Sequence, residues 1–234
     1  MPLLIYGRFF QCNTSAVWGR FLRKISLVIF DCDGVLVNTE PLANQVFVQM
    51  LGEIGYQVNA EEYQREFSGA AVVQRLAVTS KRLNWTPPEN FHAMFNERLA
   101  ELTEQKLEPV ADIHTLIESL SVPMCIASNG SRKEIMLRLR LARLTDHFVD
   151  AVFSGLEVPN PKPAPDVFLA AAKAFSIPPE QCVVIEDSIP GVTAAVRAGM
   201  KVYGYAALTP GESLQKAGAI PFANMMELKT LLSI

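Results

Sequence analysis

Five short apolar runs, separated by segments with helical spacing, constrain the fold of this chain more than any other feature. A strand that is covered on both faces is apolar along its whole length, so such runs are typical of buried parallel strands. The predicted strands are Ile25–Phe30, Val122–Ala127, Val149–Phe153, Cys182–Glu186 and Lys201–Tyr205. This alternation predicts an α/β fold with a doubly wound parallel sheet, in which ligands bind beyond the carboxyl ends of the strands.

One long stretch, residues 39–108, interrupts the alternation. It contains helical patterns but no strand-like run, and Pro41 suits the first turn of its opening helix. We therefore expect an inserted helical cap, whose core includes Phe91, Phe95, Leu99 and Leu102. The predicted division is an N-terminal extension of residues 1–24, an α/β core of residues 25–38 and 109–234, and a helical cap of residues 39–108.

The N-terminal extension is basic, because residues 1–24 contain four basic residues and no acidic one. This composition faintly resembles a targeting peptide, but a continuous apolar segment followed by a small-residue cleavage site is missing. We interpret the segment as a non-native or mis-assigned start, or as a loosely ordered extension.

The first apolar run ends in Asp31-Cys32-Asp33-Gly34. A turn at Gly34 lets both carboxylates converge on one point beyond the strand. Two such carboxylates bind a hard cation, share acid and base work, or supply a covalent nucleophile. An Asx-turn without catalytic function is the alternative for this motif alone.

The second run leads into Ser128-Asn129-Gly130-Ser131, followed by a predicted helix over Arg132–Leu141. A hydroxyl group and backbone N–H groups at a helix N-terminus suit a phosphate. An ordinary helix N-cap is the alternative, since Ser and Asn are preferred there for structural reasons.

Two further motifs follow the third and fourth runs. Lys162 lies in a loop of closely spaced prolines, which restrict its conformation and suggest that the position of the ammonium group matters. Glu186 and Asp187 are adjacent acids at the end of a strand, where they are costly unless they meet cations. Together with Asp31 and Asp33 they predict an oxygen-rich site for Mg²⁺.

Composition limits the partners of this chain. The formal net charge is −3, which argues against nucleic acid, so the basic cluster in the helix after Ser131 is interpreted as a solvated face. That cluster comprises Arg132, Lys133, Arg138, Arg140 and Arg143. No apolar stretch approaches the length of a membrane span. The four cysteines show no metal or disulfide spacing, which favours a reducing compartment and hence the cytoplasm.

These motifs resemble those of the haloacid dehalogenase superfamily, in its phosphatase and phosphomutase branch with a helical cap. The resemblance covers about residues 25–230. It implies that Asp31 is a nucleophile and Asp33 a general acid and base, and that Ser128, Asn129 and Lys162 bind phosphate. It also implies a Mg²⁺ site at Asp31, Asp33 and Asp187, with Glu186 acting through water or from the second shell. The implied partner is a small phosphorylated metabolite, such as a sugar phosphate, bound by a monomer.

The resemblance also locates a substrate-specificity loop at Phe67-Ser68-Gly69-Ala70 in the predicted cap. Gln74 and Arg75, which follow it, are either sugar contacts or plain helix surface.

Three other functions are compared with a phosphatase. A phosphomutase like β-phosphoglucomutase shares the core motifs, but it has a histidine where this chain has Ala43. A haloacid dehalogenase proper lacks an acid at the position of Asp33. A catalytically silent binding domain would have lost Asp31, Asp33 or Lys162, and all three are present.

Overall fold

The computed structural model describes residues 25–67 and 72–232. The predicted N-terminal extension and residues 68–70 of the predicted specificity loop lie outside the described residues. Six parallel strands form one sheet in the order β3-β2-β1-β4-β5-β6. They are β1 (Leu27–Phe30), β2 (Met124–Ser128), β3 (Val152–Ser154), β4 (Cys182–Glu186), β5 (Lys201–Tyr205) and β6 (Ile220–Phe222). The predicted doubly wound α/β fold is confirmed.

The strand order reverses between β1 and β4, which makes this the topological switch point where ligands bind in such sheets. β1 lies between β2 and β4, and Phe30 pairs with Ile126 on one side and Ile185 on the other. This register places the residue after Phe30 level with the end of β4. The sheet therefore brings Asp31 and Glu186 to one edge.

Helices cover both faces of the sheet, which is why its central strands are continuously apolar. Val28 and Phe30 of β1 point into one buried cluster, and Leu27 and Ile29 point into the other. The core helices are α5 (Ile113–Ser119), α6 (Arg132–Leu141), α7 (Asp166–Ala174), α8 (Ile189–Arg197), α9 (Gly211–Ala217) and α10 (Met225–Leu232). Cys32, Cys125 and Cys182 are buried free thiols, as expected for small core residues.

The helical insertion between β1 and β2 contains α1 (Glu40–Glu53), α2 (Ala60–Glu66), α3 (Val72–Leu83) and α4 (Phe91–Lys106). It has its own hydrophobic cluster around Phe47, whose ring packs against Tyr63, Phe91 and Phe95. Phe91 and Phe95 are buried there as expected, and Leu99 and Leu102 are partly buried against them.

The two linkers of the insertion run side by side. Val37 and Pro109 form an antiparallel bridge, and the N–H of Asn38 donates to the carbonyl of Glu108 at 2.9 Å. The insertion therefore leaves and re-enters the core at the carboxyl end of β1. In the part of the chain that the structure describes, no helix is both long enough and apolar enough to cross a membrane.

The predicted strands differ from those of the structure in their starts and in their number. The first and second strands begin at Leu27 and Met124 rather than at Ile25 and Val122. The third strand begins at Val152 rather than Val149, because Val149 is exposed and Asp150 adopts a positive φ of 58° in a turn. The sixth strand, Ile220–Phe222, was not predicted from the sequence. It is a three-residue edge strand with a central proline, which gives almost no periodic signal.

Candidate active site

The loop after β1 packs tightly against the end of β4. The N–H of Asp31 donates to the carbonyl of Ile185 at 2.9 Å. Gly34 then turns the chain with a φ of 79°. A Cβ atom at Gly34 would lie 2.0 Å from Oδ2 of Asp187, so the absence of a side chain there leaves room for this carboxylate. The two acidic motifs predicted from the sequence are therefore neighbours.

Lys162 lies between two of these carboxylates. Its Nζ atom is 2.6 Å from Oδ1 of Asp31 and 2.7 Å from Oε1 of Glu186. The three side chains are 4%, 10% and 1% exposed, respectively. One ammonium so well shielded from water serves two carboxylates, so removing Lys162 would leave uncompensated buried charge.

Burial and neighbouring carboxylates raise the carboxyl pKa values of the site. Burial raises the pKa of Asp31 to about 7; the ammonium of Lys162 lowers it, and the charges of Glu186 and Asp33 raise it again. Burial, Glu186 and Asp31 likewise raise the pKa of Asp187 well above its ordinary value. Burial alone would lower the pKa of Lys162, but the two adjacent carboxylates outweigh it and raise that pKa. A further cation would therefore be stabilised here.

Asn129 holds the backbone of Lys162. Its Oδ1 atom accepts from the Lys162 N–H at 2.9 Å, and its Nδ2 group donates to the Lys162 carbonyl at 3.2 Å. Both ends of the amide therefore hold the lysine loop, and direct binding of phosphate by Asn129 stays a prediction. The ammonium of Lys162 also lies 4.8 Å from the ring centroid of Phe168, which adds a cation–π contact.

Glu186 has no unused carboxylate oxygen. Oε1 binds Lys162, and Oε2 accepts from the N–H groups of Asp187 and Ser188 and from the Ser188 hydroxyl, each at 2.9 Å. A Cβ atom at Gly191 would lie 1.7 Å from Oε1, so the first turn of α8 closes over this carboxylate. Glu186 thus orients Lys162 and the Asp187 loop, which agrees with a position outside the inner ligand shell of a metal.

In the loop before α6, one serine is the N-cap of the helix and a different serine is the candidate phosphate contact. Ser131 is the N-cap of α6 and forms a capping box with Glu134. Ser128 is buried at the carboxyl end of β2, and its hydroxyl accepts from the Gly130 N–H at 3.2 Å. The N-cap alternative therefore applies to Ser131, and Ser128 lies at the sheet edge that carries Asp31.

Asp33 has two contacts that the sequence did not indicate. Its Oδ1 atom accepts from the Thr39 hydroxyl at 2.9 Å, and its Oδ2 atom lies 3.0 Å from Nη1 of Arg138. Interpreting the whole basic cluster as a solvated face was wrong for Arg138, whose side chain is only 14% exposed. The sequence feature that indicates a packed position for Arg138 is its spacing of three residues from Ile135, which is buried on the same helix.

The helical insertion adds a buried ion pair beside the acidic cluster. Nη2 of Arg75 is 2.6 Å from Oε2 of Glu40, and the two side chains are 3% and 20% exposed. The charge of Glu40 contributes to the raised pKa of Asp187. Arg75 is therefore not plain helix surface, whereas Gln74 is exposed.

The donor set of this edge suits a magnesium ion. Within residues 25–67 and 72–232, no three His, Cys, Asp or Glu side chains are arranged as a ready-made metal cage. Mg²⁺ does not require one, since it binds through one or two carboxylates together with water and substrate oxygens. Asp31 and Asp187 fit that requirement, because both have raised pKa values and the charge of Asp31 contributes to raising the pKa of Asp187.

Comparison with known proteins agrees with this geometry. Residues 28–205 match the family of haloacid dehalogenase-like hydrolases. The chain is 27% identical over 212 residues to the 6-phosphogluconate phosphatase of Escherichia coli strain K12, covering 90% of this chain and 96% of that protein. It is 30% identical over 211 residues to a phosphorylated carbohydrates phosphatase of Thermotoga maritima, covering 88% and 97%.

Solved structures show the same architecture. A haloacid dehalogenase-like protein of unknown function from Agrobacterium tumefaciens superposes with a TM-score of 0.83 at 29% identity, covering 89% of this chain and 98% of that one. A haloacid dehalogenase family hydrolase from Deinococcus radiodurans, solved with bound phosphate and sodium, gives a TM-score of 0.78 at 29% identity, covering 90% and 96%.

Proposed function

Because the chain belongs to the haloacid dehalogenase-like hydrolase family, we propose that it is a Mg²⁺-dependent phosphomonoesterase that forms an aspartyl-phosphate intermediate. Its substrate is a small phosphorylated metabolite, such as a sugar or sugar-acid phosphate. The observation that carries the proposal is the buried pair of Asp31 and Lys162 at 2.6 Å, located at the switch point of the sheet. A cation that orients a carboxylate there suits attack on an anionic phosphoryl group.

The proposed reaction has two steps. A carboxylate oxygen of Asp31 bonds to phosphorus as the bond to the ester oxygen breaks, and Asp33 donates its proton to that leaving oxygen. Asp33 then takes a proton from water, whose oxygen bonds to phosphorus while the bond to Asp31 breaks. Inorganic phosphate leaves, and both aspartates return to their starting states. Lys162 and Ser128 stabilise charge on the phosphoryl oxygens throughout.

The carboxylates of Asp31 and Asp187 and the carbonyl of Asp33 would hold Mg²⁺. Bound there, the ion would neutralise the carboxylates and the charge on the phosphoryl oxygens. Glu186 supports this set indirectly, because its oxygens bind Lys162 and the Asp187 loop.

Metal binding predicts a thermal shift that does not depend on catalysis. Saturating Mg²⁺ is expected to raise the Tm of the wild-type protein by about 5–10 °C. Because a raised pKa means that the folded protein retains the Asp31 proton up to about pH 7, protons compete with the metal below that pH. The shift should therefore be larger at pH 8 than at pH 6.

Asp187→Asn is expected to remove most of that Mg²⁺-induced shift. Asp146→Asn is the matched control, since Asp146 is exposed and distant in sequence from the site motifs. An equal Mg²⁺ shift in the Asp187→Asn variant would contradict the proposed ligand set.

A panel of phosphorylated metabolites tests the substrate class. Phosphate release from sugar and sugar-acid phosphates, measured with Mg²⁺ and with a chelator, is expected to be Mg²⁺-dependent. The relatives named 6-phosphogluconate phosphatase and phosphorylated carbohydrates phosphatase support this choice. Release that is absent across the panel, or that is unaffected by the chelator, would contradict the proposal.

A phosphomutase is the second candidate, and Ala43 argues against it. In the structure, Ala43 packs against the hydrophobic cluster of the insertion, so its position supplies no proton-transferring group. Incubation with glucose 1-phosphate and a bisphosphate activator is therefore expected to give inorganic phosphate. Accumulation of an isomeric sugar phosphate with little free phosphate would favour the mutase.

The same proposal includes three expectations about the whole molecule. We propose a monomer in the cytoplasm whose helical insertion closes over the substrate, with hinges near Asn38–Pro41 and Lys106–Pro109. The paired linkers at Val37 and Pro109 support this position for the hinge.

A further inference from the structure

Arg138 is the unassigned charged side chain nearest to the proposed acid and base. We propose that Arg138 is a positioning residue, which restrains the carboxylate of Asp33 in the orientation needed for proton transfer. The inference rests on the proposed function, because it assumes that Asp33 exchanges a proton with the leaving group and with water. Arg138 is not among the site residues predicted from the sequence.

The carboxylate of Asp33 is held on both oxygens. The hydroxyl of Thr39, in the first linker of the insertion, donates to Oδ1 at 2.9 Å. Arg138, on the core helix α6, approaches Oδ2 at 3.0 Å. The Asp33 side chain is 35% exposed, so burial alone does not fix it. Its orientation therefore depends on these two contacts.

The contact with Arg138 is an ion pair rather than an aligned hydrogen bond. Although Nη1 is close to Oδ2, its N–H groups do not point at an acceptor with hydrogen-bond geometry. An ion pair tolerates this misalignment, because the Coulomb attraction depends mainly on distance. Because the Arg138 side chain is only 14% exposed, water screens the attraction less than it does at the surface.

The arginine itself is well restrained. Its guanidinium lies over Gly130, where an added Cβ atom would be 3.0 Å from Nη1. The side chain also lines a small pocket between α6 and α4, together with Leu99 and Thr103 of the insertion. The capping box at Ser131 fixes the start of α6. A restrained cation can therefore hold the Asp33 carboxylate in place.

Holding Asp33 matters because proton transfer requires the acid to be within hydrogen-bond reach of the leaving oxygen. A carboxylate with free rotation spends less time in that geometry, and the loss appears in turnover rather than in substrate binding. Arg138→Met keeps most of the aliphatic side chain but removes the charge. We expect kcat for a sugar phosphate to fall about 10- to 100-fold, as for other residues that orient a reacting group, with KM changed less than about 2-fold.

The decisive measurement is a double-mutant cycle with Asp33→Asn. This variant alone is expected to lower kcat by about 10²–10⁴-fold, the usual scale for a positioned acid and base. Adding Arg138→Met to it should then lower kcat by less than about 2-fold, because the group that the arginine positions is already inactive. Arg138→Lys should recover part of the rate. Arg140→Met is the matched control, since Arg140 is exposed on the same helix.

Three kinetic results would overturn the inference. An equal loss from Arg138→Met in the wild-type and Asp33→Asn backgrounds would indicate a general structural role. A large rise in KM with unchanged kcat would make Arg138 a substrate-binding residue. Full activity of the Arg138→Met variant would show that Asp33 needs no such restraint.

Unfolding by urea tests the same pair without substrate. The stability loss caused by Arg138→Met should at least halve in the Asp33→Asn background, because the ion pair is absent there. An unchanged loss would overturn the inference even if no phosphomonoester were hydrolysed. Lack of hydrolysis in the wild-type protein combined with a coupled pair would count against the proposed function alone.

Discussion

Asp31→Asn is expected to lower turnover of a phosphomonoester by at least about 10⁴-fold, which is the scale for removing a covalent nucleophile. The substitution keeps the size of the side chain but removes the charge that attacks phosphorus. Loss of hydrolysis should be measured on the purified variant with Mg²⁺ at saturation. Undiminished turnover would remove Asp31 from the mechanism.

The stability of the same variant separates loss of the nucleophile from loss of the fold. Burial raises the pKa of Asp31 to about 7, so ionising this carboxyl group costs stability as pH rises from its ordinary pKa through 7. An uncharged amide avoids that cost. Without Mg²⁺, the variant should therefore unfold at a higher urea concentration than the wild-type protein at pH 8, with a smaller difference at pH 5. A variant that is less stable at pH 8 would contradict this account of the buried charge.

Lys162→Met is expected to lower the free energy of unfolding at pH 8 by about 3–5 kcal/mol and to abolish measurable hydrolysis. The lysine is buried between Asp31 and Glu186, and without it two carboxylates face each other with little access to water. Protonation relieves their repulsion, so the loss of stability should be smaller at pH 5. Urea unfolding at the two pH values measures both effects.

Two further variants make this test specific. Lys173→Met removes an exposed lysine from α7 and is expected to change stability by less than about 1 kcal/mol. Combining Lys162→Met with Asp31→Asn should restore part of the lost stability, because one of the unpaired charges is then absent. If the double variant is less stable than Lys162→Met alone, the cost does not come from unpaired carboxylates.

The sheet and its site edge could be predicted from the sequence because both depend on local patterns. Buried parallel strands are apolar runs of fixed length, and their carboxyl ends meet at one edge in any doubly wound sheet. Asp31 follows the first such run, Lys162 lies in a loop after the third, and Glu186 ends the fourth. The structure places the Lys162 ammonium 2.6 Å from Asp31 and 2.7 Å from Glu186. The family match over residues 28–205 agrees with the resemblance carried by these motifs.

Other parts of the site depended on contacts between segments far apart in the chain. The engagement of Asn129 with the backbone of Lys162 joins positions 33 residues apart, and no local pattern encodes it. The edge strand at Ile220–Phe222 forms because β5 offers it a partner, not because its own sequence favours a strand.

The amino-acid sequence by itself determined the strand-end positions of the acidic residues and of Ser128, since apolar periodicity and turn residues act over a few neighbours. Only the tertiary structure decided which way Arg138 faces and that Thr39 and Arg138 meet at Asp33. A charged residue on a helix has the same local sequence signature whether it faces water or a neighbouring carboxylate. Its partner is decided by how the helix packs against the sheet and the insertion, which is a long-range property of the folded chain.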